Sequence, residues 1–66
     1  GIKKMSVITE TKDYRLILKK VKLTNLPDTY ELVFRRELLA NGEIFDSNSI
    51  VLYMSSGDIE KLKAAL

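Results

Sequence analysis

Cysteine and histidine are both absent from these 66 residues. Their absence excludes disulfide staples, thiolate nucleophiles, imidazole bases and the usual zinc sets, and with them most common catalytic constellations. No apolar run reaches the length of a signal peptide or a membrane span, so the expectation is a soluble intracellular protein with no membrane partner. No repeat, low-complexity tract or linker breaks the chain, and residues 1–66 are read as a single small domain. At this size one hydrophobic core is marginal without a disulfide, a metal or a partner. The first two aids lack ligands here, which raises self-association as the third.

What the chain does have is alternation. Met5 to Thr11, Tyr14 to Thr24, Thr29 to Leu39 and Glu43 to Met54 each alternate apolar and polar residues in the manner of half-buried strands. Lys12-Asp13 separates the first two, and Asn25-Leu26-Pro27-Asp28, which holds the only proline, carries a turn signature between the second and third. Asn41-Gly42 lies between two apolar runs and is the strongest short-range mark of a two-residue hairpin. Asp46-Ser47-Asn48 is a possible interruption of the fourth strand. Ser55 to Leu66 then has helical start signals: a serine cap, Asp58 and Glu60 near the positive end of the dipole, and Ile59, Leu62 and Leu66 on one stripe. The expected fold class is α+β, a four-stranded antiparallel β-meander followed by one C-terminal helix.

If Asn41 and Gly42 form the loop, opposed residues have numbers summing to 83. This pairs Leu32 with Val51, Phe34 with Ser49, Leu38 with Phe45 and Tyr30 with Tyr53 on a core face under the helix. The other face then brings Val33 beside Ile50, an apolar patch of the kind that marks interfaces. The second strand changes phase, with Tyr14, Leu16 and Leu18 of one parity and Val21 and Leu23 of the other. A β-bulge at Lys19-Lys20 would gather all five on one face and aim both lysines outward.

Among the acids, Glu37 and Asp46 form the one cross-strand carboxylate pair of this register. Without a nucleophile it supports no catalytic assignment. Asp46-Ser47-Asn48-Ser49 lacks the glycine and closing glutamate of a calcium loop. No catalytic residue, metal site or cofactor is therefore assigned.

Charge is uneven. Up to Thr24 there are seven Lys/Arg against two acids, and from Asn25 onward four against seven. Cations on strands around exposed rings suit single-stranded nucleic acid, with lysines on phosphates and rings stacking on bases. On charge and expected face, Lys19, Lys20, Lys22 and Arg35 are candidate binding residues, joined by Arg15 as a further strand cation and by Tyr14 as the ring most open to stacking. Lysines on an outer strand also serve to block edge-to-edge aggregation.

In its order of four amphipathic strands and a helix entered through Leu52-Tyr53-Met54-Ser55-Ser56-Gly57-Asp58-Ile59-Glu60-Lys61-Leu62, the chain resembles the Whirly proteins and the positive-cofactor-type transcriptional coactivators. That resemblance covers nearly the whole chain. It implies ββββα units that associate through their helices and grip single-stranded DNA on the outward sheet surface. Three functions stay open: a small homodimeric nucleic-acid-binding protein for single-stranded DNA or RNA, in the role of a transcriptional accessory factor; a protein-interaction module, such as a phage or regulatory adaptor, docking through its sheet face or edge; and an enzyme, for which no residue is assigned. Self-association is expected through the C-terminal helix or an exposed sheet face.

Overall fold

The computed structural model describes residues 3–66. Four strands, β1 (Lys3–Glu10), β2 (Tyr14–Lys22), β3 (Tyr30–Ala40) and β4 (Glu43–Met54), pair antiparallel in chain order, and one helix, α1 (Ser56–Ala65), closes the chain. The fold is α+β with the expected ββββα order.

Local chemistry sets each junction. Thr11 Oγ1 accepts from the amides of Asp13 and Tyr14, both at 3.1 Å, which tightens the β1–β2 turn. Asn41 and Gly42 both have positive φ, 54° and 79°, the backbone that a two-residue primed hairpin demands. Ser55 caps α1: its hydroxyl accepts from the Asp58 amide at 3.1 Å, and the Asp58 carboxylate accepts from the Ser55 amide at 3.3 Å. Asp28, at φ 49°, accepts from the Ser56 amide at 3.3 Å and so ties the β2–β3 turn to the helix start.

The register differs from the simple hairpin in one residue. Ala40 pairs with Glu43 and Leu39 with Ile44, but Leu38 pairs with Asp46, leaving Phe45 as a bulge. Beyond it Leu32 meets Leu52, Phe34 meets Ile50 and Tyr30 meets Met54, so the expected pairs Leu32–Val51, Phe34–Ser49, Leu38–Phe45 and Tyr30–Tyr53 are not formed. Val33 pairs with Val51 rather than lying beside Ile50. The physical reason is visible in what the shift avoids. An unbulged ladder would set Asp46 against Glu37, two like charges directly opposed, and would place Ser49 rather than Ile50 beside Phe34. With the bulge, β4 runs unbroken through Asp46-Ser47-Asn48.

The second strand is regular instead. From Tyr14–Leu38 to Lys22–Tyr30 its ladder with β3 has no shift, so Lys19 and Lys20 point to opposite faces and the expected bulge there is absent. Lys20 needs no such rescue, because its ammonium lies 5.2 Å from the centroid of the Tyr30 ring. The extra residue is in β1, at Ile8, between the pairs Val7–Ile17 and Thr9–Leu16.

One face of the sheet carries α1. Ile59 and Leu62 meet a groove lined by Leu18, Leu32 and Phe34, where Leu32 is 3% and Ile59 8% exposed. Leu66, third of the helical stripe, is 96% exposed because the helix ends there. Among the described residues nothing covers the other face. The result is a slab of 43 × 26 × 15 Å.

Candidate functional site

The ladders sort the six candidate residues onto two faces. Lys20, Lys22 and Tyr14 are on the helix face, whereas Lys19, Arg15 and Arg35 are on the helix-free face. They do not form one site. Tyr14 lies six residues from Lys20 along β2, about 20 Å at strand rise, and its ring is faced by Arg36 at 5.6 Å.

Lys20 and Lys22 do have company. Lys4 is the cross-strand partner of Lys20, Lys22 is that of Tyr30, and these four side chains line one depression at the corner of the sheet. Lys4 was outside the selected six, and the β1–β2 ladder is what brings it in. The Lys20 ammonium over the Tyr30 ring leaves a cationic, ring-floored corner suited to an anion with an apolar part.

Arg15 and Arg35 are committed elsewhere. Glu37, only 4% exposed, accepts from Arg15 Nε at 2.7 Å and sits 2.6 Å from its Nη2, both at Oε1, while Arg35 Nε reaches Oε2 at 3.0 Å. Glu10 adds a longer contact to Arg15 at 3.3 Å. The Glu37 carboxylate, and secondarily Glu10, holds the Arg15 guanidinium further above its ordinary pKa. Two candidate cations thus share one acid, which ties up part of their hydrogen-bonding capacity and lowers their value as phosphate ligands. The expected Glu37–Asp46 carboxylate pair does not exist, since Glu37 pairs with Ser47 and Asp46 lies on the opposite face. Among the described residues no group of three or more Asp and Glu side chains converges as a metal site.

The rest of the helix-free face is apolar and open. Two cross-strand rows, Met5–Lys19–Val33–Val51 and Val7–Ile17–Arg35–Ser49, place Met5, Val7, Ile17, Val33 and Val51 side by side, with Val21 and Tyr53 in the next row. Met5, Val7, Val51 and Tyr53 are all exposed. Tyr53 donates its hydroxyl to Glu31 Oε2 at 3.2 Å, and that carboxylate raises the phenol above the ordinary value of 10.0. Lys19 is the sole cation of the first row, and it lines a depression with Met5, Ile17, Val33, Arg35 and Glu37.

Comparison of the chain with known protein families, with curated proteins and with solved structures finds no match.

Proposed function

We propose that this chain is a protein-interaction module whose open sheet is completed by another polypeptide, a second copy included. One observation carries the reading. The chain exposes 5129 Å², whereas a compact monomer of 7.5 kDa exposes about 4,250 Å² by the usual surface scaling. The surplus, roughly 900 Å², is close to the ~800 Å² that each partner buries in a standard protein–protein interface. The radius of gyration agrees: 13.8 Å, against about 11 Å for a compact domain of this length. The surplus is apolar where the helix-free rows lie, and such patches mark interaction surfaces.

Sedimentation equilibrium across a wide concentration range tests the reading. The expected result is a mass that rises with concentration to a multiple of 7.5 kDa. A cooperatively folded chain that stays monomeric up to about 1 mM, where contacts worth only ~4 kcal/mol would register, overturns self-association and restricts the reading to a foreign partner.

A second function is favoured by the corner of Lys4, Lys20, Lys22 and Tyr30. It is single-stranded nucleic-acid binding, as the resemblance to Whirly and positive-cofactor-type proteins implies, in the role of a transcriptional accessory factor. Fluorescence anisotropy of a labelled single-stranded oligonucleotide at two salt concentrations separates it from the first. Each lysine–phosphate contact contributes about 0.7 to the logarithmic salt slope, so Lys20→Ala/Lys22→Ala flattens the slope by roughly 1.4 while Lys19→Ala leaves it unchanged. Absence of salt-sensitive binding by the native chain removes this function.

A further inference from the structure

We infer that the surface which completes the sheet is the free edge of β4, and that its occupant is a second copy of this chain, paired antiparallel about a two-fold axis at Val51. The inference rests on the interaction-module reading and specifies its geometry.

The two outer strands are built differently. β1 presents Lys4 and Glu10 and is broken by the Ile8 bulge, all features that discourage pairing with another chain. In β4 the bulge comes early, at Phe45, and the strand then pairs regularly with β3 from Asp46 to Met54. From Ser47 to Gly57 there is no charged residue, no proline and no glycine before Gly57 itself. Every β4 residue up to Tyr53 is exposed, Ile50 and Tyr53 at 63% each. Among the described residues nothing covers this edge beyond the start of α1, and the groove beneath the helix is bounded by Lys4 and Ser6 of β1, at the far side of the sheet.

Charge decides the orientation. A parallel, in-register pair would stack Asp46 on Asp46 and Glu43 on Glu43. An antiparallel pair about the middle of the uncharged stretch, Ser47 to Ser55, sets Val51 against its own copy, Ile50 against Leu52, Ser49 against Tyr53 and Asn48 against Met54. No charged residue then opposes another. Opposed numbers that sum to the even value 102 also keep like faces together, so the helix-free rows of both copies become one continuous apolar face and both helices lie on the other. A two-fold contact of this kind closes on itself and gives an eight-stranded dimer rather than a fibre.

A chain without cysteine makes the register directly testable. Opposed residues of an antiparallel pair lie about 4.5 to 5.5 Å apart at Cα, within disulfide reach. Val51→Cys, a change of similar volume at an exposed position, is expected to give a covalent dimer under mild oxidation. Ser49→Cys alone, four residues or about 13 Å from its copy, is expected to stay uncrosslinked. Val51→Lys and Val51→Glu are each expected to weaken association at least about tenfold, and mixing the two to restore it. A native dimer in which Val51→Cys fails to crosslink and Val51→Lys leaves the mass unchanged overturns the β4 edge while preserving self-association. A native chain monomeric at about 1 mM overturns both.

Discussion

Among the described residues, each face of this sheet holds one buried strand residue, and the two are chemical opposites. On the helix face it is Leu32, covered by Ile59; on the helix-free face it is Glu37, covered by the guanidinium groups of Arg15 and Arg35. Water is kept from one by hydrocarbon and from the other by the long stems and planar heads of two arginines. The difference shows that a small sheet with a single helix can protect one side only. The other side holds its centre by an ionic clasp and leaves the remaining apolar rows exposed.

The contrast can be broken from the helix side with the greatest effect. Leu32→Ala removes the most buried side chain and is expected to destabilise the fold by about 2 to 5 kcal/mol, measured by denaturant unfolding, with a loss that does not vary with salt. A loss that tracks ionic strength would contradict an apolar seal. Glu37→Gln comes next. It leaves Arg15 and Arg35 facing a neutral amide, and about 1 to 3 kcal/mol is expected. Here salt is the discriminating variable: added salt is expected to erode the stability of the native chain more than that of the variant, because only the former has an ionic clasp to screen. Leu32 and Glu37 point to opposite faces, so the double variant is expected to be additive within about 0.5 kcal/mol.

Ser55→Ala loosens the helix without touching either centre. Loss of this cap costs about 1 kcal/mol and is expected to speed amide exchange in the first turn of α1, including Asp58 and Ile59, while exchange in the β2–β3 ladder changes little. Equal acceleration in both would mean that helix and sheet open as one unit.

The smallest effect belongs to Tyr53 on the helix-free face. Its phenol is neutral when it donates to Glu31, and its pKa is raised above the unfolded value. The contribution to stability is therefore fully present below pH 10 and is lost as pH rises through the higher folded value. Ultraviolet titration should show this tyrosine ionising later than an ordinary phenol, and Glu31→Gln should bring it back towards 10.0. An unchanged titration in that variant would remove Glu31 as the cause.

Much of the fold is legible from residues alone. Strand alternation, the Asn41-Gly42 hairpin, the end of β4 at Met54 and a serine cap at the helix start are all local signals, and each is where the alternation or the cap chemistry puts it, although the polar run Asp46-Ser47-Asn48 does not interrupt β4. The register of β4 is not legible in the same way. The gain from skipping Phe45 is cooperative, a like-charge pair avoided at one place and Ile50 and Leu52 gained by the helix face at others. The clasp at Glu37 was hidden for a related reason: it depends on the β2–β3 ladder, which puts Arg15 directly opposite Glu37, and a pattern read along one strand cannot show it. Five of the six candidate residues are cations, and charge alone does not distinguish Arg35, held by Glu37, from Lys22, which stands exposed beside Tyr30. Lys4 and Tyr30 enter the corner only through cross-strand neighbours.

The bulge at Phe45 has a bearing on how such a gene can change. Phe45 is a spare residue in the ladder, so a one-codon deletion at position 45 or 46 can be taken up there, the strand closing the gap while Ile50 to Met54 keep their partners. A deletion further along would have no slack to draw on and would turn the remaining side chains over to the other face. The hairpin therefore tolerates small changes of reading length where they do least harm, and any lineage of this chain should vary in length at that point more readily than in the second half of β4.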